Sequence, residues 1–213
     1  MNKLFSRSDK KIAGKQAKQS CGQPIIIVSG LPRSGTSMMM RMLAEGGLPI
    51  VTDELRRADD DNPNGYFELE VVRQLKKGKF AWLKEANGKA VKVISALLEY
   101  LPQEYQYKVI FIERESKETL ASQKKMLDHR GETSKMSDEE MEQQFHTHLA
   151  AVKPWLVRQP NMELFSVNYN ALIAEPGPVC ELIADFLDFP LNQMRMLAVP
   201  DKQLYRNRIV IEK

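Results

Sequence analysis

The stretch Ile27-Val28-Ser29-Gly30-Leu31-Pro32-Arg33-Ser34-Gly35-Thr36-Ser37 decides how the rest of the chain is read. It continues a β-branched run that begins at Ile25, and it precedes a segment with apolar residues at helical spacing. The order is therefore strand, glycine-containing turn, helix. Two glycines separated by four residues let the chain turn tightly and let backbone N–H groups approach an anion. The sequence predicts a phosphate-binding loop at residues 30–37.

The loop lacks the lysine that binds nucleoside triphosphates. Thr36 stands where such loops carry a lysine that reaches the β- and γ-phosphates, and the positive charge lies inside the loop instead, on Arg33. A guanidinium at that place can face a sulfuryl or phosphoryl group as negative charge develops on it. The pattern disfavours ATP or GTP chemistry. A kinase or NTPase with a displaced basic residue remains an alternative, and dependence on Mg²⁺ would favour it.

Alternating strands and helices predict the fold class. The expected strands are short apolar runs, and the expected helices are amphipathic; a further segment, residues 69–86, is expected to be helical in two pieces broken near Gly78. This order predicts a three-layer α/β/α fold with a parallel sheet of about four to five strands, and ligands beyond the carboxyl ends of the strands. The strands are predicted at residues 25–28, 49–52, 90–94, 108–112 and 163–169, and the helices at residues 35–45, 116–129, 137–156, 177–187 and 191–197.

Composition predicts a globular protein with a basic N-terminus. The chain has 213 residues, is 43% hydrophobic and carries a net charge of +3. We expect residues 1–23 to form a basic, poorly ordered tail and residues 24–213 to form a single domain. No apolar run approaches the roughly 20 residues of a membrane span. The two cysteines do not make a disulfide framework, so a reducing, cytoplasmic compartment is expected.

Cysteine and histidine are too scarce to suggest a metal centre. Two cysteines and three histidines are too few to suggest a disulfide framework or a zinc site, and no metal is expected. The histidines, His129, His146 and His148, are predicted to be surface residues on helices. A nucleic-acid partner is not expected either, because no stripe of basic and aromatic residues accompanies the tail.

The glycine loop closely resembles the 5′-phosphosulfate loop of sulfotransferases that use 3′-phosphoadenosine 5′-phosphosulfate (PAPS). In that family the loop binds the 5′-phosphate of PAPS, and its basic residue assists departure of the sulfuryl group. The resemblance implies a P-loop sulfotransferase-like fold and, as donor-binding residues, Gly30, Arg33, Ser34, Gly35, Thr36 and Ser37.

A second segment extends the resemblance. The family places an arginine at the end of a later strand and a serine eight positions on, both holding the 3′-phosphate; this chain has Arg114 after an apolar run, and Ser122 at that spacing. An arginine there points into the ligand crevice and can bind phosphate with two nitrogens. The family's basic C-terminal segment, which folds over the 3′-phosphate, is loosely matched by Arg206 or Arg208, for which a solvated tail is the alternative.

The catalytic base is where the sequence departs from the family. Cytosolic sulfotransferases use the histidine of a Lys-Thr-His segment, and the matching stretch here is Lys92-Val93-Ile94-Ser95, with the lysine but without the histidine. Sulfotransferases of the tyrosyl type use a glutamate instead, and their segment falls on Glu54, the first candidate, and Asp53, the second. Glu68, in Tyr66-Phe67-Glu68, is a third candidate near the acceptor.

The sequence thus predicts an enzyme that moves the sulfuryl group of PAPS to an acceptor hydroxyl or amine by in-line displacement and releases adenosine 3′,5′-bisphosphate (PAP). Arg33, Lys92 and the loop amides supply the positive charge. A catalytically inactive module that binds PAP or PAPS is the alternative that the missing histidine leaves open. The class of acceptor and the oligomeric state are not predicted.

Overall fold

The fold is built on five parallel strands in the order β2-β3-β1-β4-β5. The computed structural model describes residues 22–63, 65–132, 134 and 136–201. The strands are β1 (Ile25–Gly30), β2 (Ile50–Val51), β3 (Ala90–Lys92), β4 (Tyr107–Glu113) and β5 (Met162–Asn168). The predicted tail and Arg206 with Arg208 lie outside the described residues.

Helices connect the strands. The α-helices are α1 (Thr36–Glu45), α2 (Ser116–His129), α3 (Asp138–Arg158), α4 (Tyr169–Ala174), α5 (Pro176–Leu187) and α6 (Gln193–Leu197). Within the part of the chain that the structure describes, three 3₁₀ helices (Glu70–Lys77, Ala81–Lys84 and Ser95–Tyr100) cover the stretches on either side of β3.

Alternate residues of the central strands supply two separate apolar cores. In β1, Ile26 and Val28 pack with α1, α5 and α6, whereas Ile25 and Ile27 pack with the 3₁₀ helices and α3. All of β1 is buried, as expected of a parallel strand covered on both faces. The predicted α/β/α layering with a parallel sheet is confirmed.

Several local predictions are corrected. The residue 69–86 segment is helical in two pieces broken at Gly78, as predicted, but both pieces are short 3₁₀ helices. The capping box at Ser137 and Glu140 opens α3 as expected. The helix α4 was not predicted; it begins directly after β5, where Asn168 caps it by accepting a hydrogen bond from the backbone N–H of Ala171.

Strand order fixes where a ligand can bind. Because β1 lies between β3 and β4, the loop after β1 stands beside the carboxyl ends of both neighbours. The chain reaches β2 and β3 on one side of β1 and β4 and β5 on the other, which is the reversal that opens a crevice in α/β sheets. The residue 30–37 loop, Lys92 and Arg114 therefore meet at one edge.

Gly35 is a position where the fold requires glycine. Its φ is 106°, and a Cβ atom there would collide with the ring of Tyr169. We expect Gly35→Ala to lower the free energy of unfolding by about 2 kcal/mol or more, because it adds both backbone strain and overpacking. Denaturant unfolding measures the change. The matched control is Gly177→Ala in α5, where a Cβ has nothing within 4 Å and no loss is expected; equal losses in both variants would contradict the account.

Candidate functional site

The loop after β1 is shaped by three left-handed backbone positions. Gly30, Arg33 and Gly35 have φ values of 151°, 70° and 106°. At Gly30 a Cβ would lie 2.5 Å from the carbonyl oxygen of Ile112, so the loop lies against β4 with no room for a side chain. Arg33 is not a glycine, yet it adopts this left-handed conformation, which turns its side chain out of the loop.

The loop and the start of α1 leave hydrogen-bond donors for an anion. The N-terminus of α1 has no side-chain cap and no acidic residue in its first turn, so the first amides of the helix lack acceptors within it. The hydroxyl of Ser34 is buried and has no hydrogen-bond partner among the described residues. A phosphate or sulfate at this place would satisfy both kinds of donor. The loop therefore suits a bound phosphate or sulfate group.

Arg114 occupies the neighbouring position at the end of β4. Its side chain is only 7% exposed; Nε lies 3.1 Å from the carboxylate of Glu118, and Nη1 donates to the carbonyl oxygen of Arg33 at 3.3 Å. The guanidinium also lies over the ring of Tyr169, 4.6 Å from its centroid. These contacts hold a buried positive charge at the edge of the cleft.

Arg33 links the loop to both walls of the cleft. Its Nε donates to the hydroxyl of Ser122 on α2 at 3.1 Å, and its Nη2 donates to the carbonyl oxygen of Asp61 at 2.8 Å. The structure thus brings together Arg33, Arg114 and Ser122, the three residues that the resemblance assigned to the two ends of the donor.

Lys92, at the end of β3, is a buried cation beside the loop. Its side chain is 8% exposed. Its Nζ donates to the Ser37 hydroxyl at 3.1 Å, to the Tyr66 carbonyl oxygen at 3.0 Å and to Glu68 Oε1 at 3.3 Å. Burial lowers the pKa of Lys92 below its ordinary value, and the carboxylate of Glu68 opposes that effect. Lys92 therefore joins the loop helix to the segment that follows β2.

Glu68 is surrounded by cations. Besides Lys92, it contacts Arg56 at 3.2 Å through one oxygen and Arg73 at 3.2 Å through the other. Partial burial works to raise the pKa of Glu68, but Lys92 and Arg56 outweigh it, so the net pKa lies below the ordinary value. A carboxylate with a lowered pKa is a weak proton acceptor, which disfavours Glu68 as the base. Its contact with Lys92 positions that ammonium instead.

The other two carboxylates predicted as the base do not project into the cleft. Glu54 is exposed, has a φ of 55° and is not among the residues that line the cleft. Asp53 accepts hydrogen bonds from the backbone N–H groups of Leu55 at 3.1 Å and Glu70 at 2.6 Å. Asp53 therefore organises the turn.

Ile94 stands where the resemblance places the family's histidine. It lines the cleft and is 38% exposed, so an apolar side chain faces the reaction site at that point. The hydroxyl of the next residue, Ser95, is bonded to Nε2 of His148 at 2.8 Å, and Ser95 is 3% exposed. Burial lowers the pKa of His148. His148, predicted to be a surface residue, is thus partly buried.

The loop between β2 and the first 3₁₀ helix holds features that sequence reasoning missed. The ring of Tyr66 is stacked on the guanidinium of Arg56 at 3.4 Å, and its hydroxyl donates to the carboxylate of Asp59 at 2.7 Å. Asp61 lies 2.8 Å from Nδ1 of His129 at the end of α2. The acidic run in this loop signals a turn, and nothing in the sequence places it against α2.

The cleft between these elements is lined by more cations than carboxylates among the described residues. Its cations belong to the loop, α1, β3, β4, α2 and the segment after β2. An electropositive crevice suits an anionic ligand. The cationic lining residues are Arg33, Arg41, Arg56, Lys92, Arg114, Lys125 and Arg130, and the acidic ones are Asp60, Asp61, Glu68 and Asp201.

Within residues 22–63, 65–132, 134 and 136–201, His, Cys, Asp and Glu side chains form no group of three suited to a metal ion. Over the same described ranges, no helix combines the length and apolar character that crossing a membrane requires.

Comparison with known proteins identifies the family. The sulfotransferase domain model matches residues 23–206. The sulfotransferase domain of the Synechococcus PCC 7002 olefin synthase aligns with 93% of this chain and 94% of its own, with 17% identity and a TM-score of 0.53. Sulfotransferase STF9 from Mycobacterium avium aligns over 82% of this chain and 67% of its own, with 15% identity and a TM-score of 0.52.

These two structures share the fold of this chain, and no curated protein sequence matches it. The family match covers most of the chain and confirms the resemblance carried by the glycine loop. The chain therefore belongs to the sulfotransferase domain family and is an enzyme of the sulfuryl-transfer class.

Proposed function

We propose that the sulfuryl donor of this enzyme is PAPS and that the acceptor is a hydroxyl or an amine. The observation that carries the proposal is the presence of two anion-binding places in one cleft. One is the uncapped start of α1 with the unpartnered hydroxyl of Ser34, and the other is formed by Arg114 and Ser122. Two such groups in one cleft would fit a nucleotide that is phosphorylated on both its 5′ and 3′ sides.

At the 5′ place the loop amides bind the phosphate, and two cations serve the transfer. The acceptor oxygen attacks sulfur, the bond from sulfur to the 5′-phosphate oxygen breaks, and PAP leaves with that electron pair. Lys92, one hydrogen bond away from Ser37, stabilises the charge that grows on the departing phosphate. Arg33 is the second cation.

At the 3′ place, Arg114 and Ser122 bind the phosphate that distinguishes PAPS from simpler sulfated nucleotides. The Ser122 hydroxyl accepts a hydrogen bond from Arg33 Nε at 3.1 Å, and it can donate its own proton to a 3′-phosphate oxygen at the same time. Arg33 thus connects the 3′ place to the loop that holds the 5′-phosphate. Arg206 extends the 3′ place in this proposal, as the family's basic C-terminal segment does.

No metal takes part in the proposed reaction, since Arg33, Lys92 and the loop amides supply positive charge. Residues 24–213 form one sulfotransferase domain in the same proposal, preceded by the basic tail. The cytoplasmic location stays a prediction.

The 3′ place is tested by comparing PAP with AMP, which lacks the 3′-phosphate. We expect Ser122→Ala and Arg114→Ala to weaken PAP binding by about 10- to 100-fold, since each removes a charge-assisted hydrogen bond, and to leave AMP binding nearly unchanged. Isothermal titration calorimetry measures both ligands. Ser122→Ala is the gentler change, because Arg114→Ala also leaves the buried Glu118 without its ion pair.

The control for this comparison is Arg158→Ala at the end of α3, an exposed arginine outside the cleft lining. It is expected to bind PAP like the wild type. Equal losses for PAP and AMP in the cleft variants would contradict the assignment of Arg114 and Ser122 to the 3′-phosphate.

The role of Glu68 in holding Lys92 gives a pH-dependent prediction. Glu68→Gln is expected to lower the free energy of unfolding by about 2 kcal/mol at neutral pH, because it leaves the buried ammonium without its carboxylate. The folded-state pKa of Glu68 lies below its ordinary value of 4.5. Its contribution is therefore complete above that pH and disappears as the pH falls through the folded-state pKa.

Denaturant unfolding of both proteins between neutral and acidic pH measures this difference. Glu70→Gln is the matched control, because Glu70 is exposed and contacts only Arg73 among the ion pairs of the described residues. A difference between wild type and Glu68→Gln that persists unchanged at low pH would refute the ion-pair explanation.

A further inference from the structure

Asp61 presents a carboxylate to the cleft. Among the described residues this carboxylate forms an ion pair with a histidine and with no lysine or arginine. Its side chain is 9% exposed and lines the cleft. Oδ1 lies 2.8 Å from Nδ1 of His129. Among the described residues, Oδ2 has no hydrogen-bond partner. One oxygen is therefore held in place while the other remains available to an incoming group.

The neighbouring carboxylates are engaged differently. Both oxygens of Glu68 contact cations, both oxygens of Asp59 accept from the Tyr66 hydroxyl, and both oxygens of Asp53 accept from backbone N–H groups. Asp60 and Asp201 also line the cleft, and each has an interaction of its own. The contacts of Asp61 fix one carboxylate oxygen and leave the other for chemistry.

Asp61 also lies next to the loop cation. Its backbone carbonyl oxygen accepts a hydrogen bond from Arg33 Nη2 at 2.8 Å, so the residue is in direct contact with the guanidinium that faces the transferred group in the proposed reaction. A base has to lie within hydrogen-bond reach of the acceptor proton while the acceptor oxygen approaches sulfur. The loop on which Asp61 lies is tied to the site by Lys92 and Ser37, both of which donate to the Tyr66 carbonyl.

We infer that Asp61 is the general base of the sulfuryl transfer and that His129 is its positioning residue. The inference rests on the proposed function. The acceptor O–H proton moves to Asp61 Oδ2 as the acceptor oxygen forms its bond to sulfur, and the bond from sulfur to the 5′-phosphate oxygen breaks with the electron pair leaving on PAP. The proton then passes from Asp61 to solvent after the sulfated product departs.

This assignment replaces the missing family histidine with a residue from a different part of the chain. Ile94 occupies the position of that histidine and has no group that accepts a proton. The carboxylate comes instead from the loop after β2, and α2 supplies the imidazole that orients it. In catalytic triads the carboxylate orients the imidazole, which faces the substrate. Here the roles are reversed: the imidazole of His129 orients the carboxylate of Asp61, and the carboxylate faces the substrate.

Hydrolysis of ³⁵S-labelled PAPS tests the base without knowledge of the natural acceptor, because water serves as the acceptor. Asp61→Asn is expected to lower kcat for hydrolysis by about 100-fold, the usual contribution of a general base, while the Kd of PAP changes less than about twofold. Asp128→Asn, an acidic residue of α2 outside the cleft lining, is the matched control and should hydrolyse PAPS like the wild type.

Glu54→Gln is measured in the same assay, because the sequence pattern names Glu54 as the base. A loss in Glu54→Gln with none in Asp61→Asn would overturn the inference. Failure of the wild type to bind PAP would refute the proposed function itself, so the failures of the two proposals are distinguishable.

The positioning role of His129 has its own signature. The side-chain amide of asparagine can place a donor near the position of Nδ1, whereas alanine cannot. We therefore expect His129→Ala to lower kcat about 10-fold or more with KM and PAP affinity unchanged, and His129→Asn to restore most of that loss. Equal defects in the two variants, or a defect confined to KM, would show that His129 is merely structural.

A crystal structure with PAP and orthovanadate gives a measurement independent of turnover. Vanadate beside the 5′-phosphate mimics the five-coordinate sulfuryl group, and its outer apical oxygen marks the place of the acceptor oxygen. The inference predicts that this oxygen lies within about 3 Å of Asp61 Oδ2. An apical oxygen that contacts Glu68 or Glu54 instead would contradict it.

Discussion

The buried ammonium of Lys92 is the interaction on which the site depends. Its three donors reach the first turn of α1, the backbone of the loop after β2 and the carboxylate of Glu68. An ammonium that is 8% exposed is costly to bury without partners, so these acceptors must be present together when the chain folds. One residue thus fixes the distance between the donor-binding loop and the wall that carries Asp61.

The same arrangement explains how one edge of the sheet can hold both the anion binding and the proton transfer that we propose. Donor-side groups come from the ends of β1 and β4, where parallel strands end side by side. Acceptor-side groups come from the long loop after β2, which belongs to no regular element and has to be tied down. Lys92 ties it to the sheet through Glu68 and the Tyr66 carbonyl oxygen, and the contact between Asp61 and His129 ties it to α2. The Arg56–Tyr66 stack braces the loop internally.

Local patterns in the sequence account for the fold and for the donor side. The glycine spacing around Arg33 and the β-branched run before it are local signals, and the eight-residue spacing from Arg114 to Ser122 lies within one strand–helix connection. These features can be recognised in the sequence because the backbone geometry of a strand, turn and helix imposes them. The 3₁₀ form of residues 70–77 did not follow from apolar periodicity, which does not distinguish short 3₁₀ turns from α-helix.

The acceptor side depends on contacts between distant segments, and the sequence did not predict it. Asp61 and His129 are 68 positions apart, and each by itself has the pattern of a surface residue. Glu54 matched a family segment by counting, but its side chain is exposed and is not among the residues that line the cleft. A base that lies on a different element from the family's histidine cannot be found by aligning motifs, because the motif marks only the position of that histidine.

A competition titration between PAP and Mg²⁺–ATP on the wild-type protein tests most directly whether this cleft is a PAPS site. Calorimetry with and without EDTA then shows whether binding depends on a metal. The account predicts one PAP site that is unaffected by EDTA and that Mg²⁺–ATP does not displace. Tight, metal-dependent binding of ATP that PAP fails to displace would contradict it and would indicate a kinase-type site in the same loop.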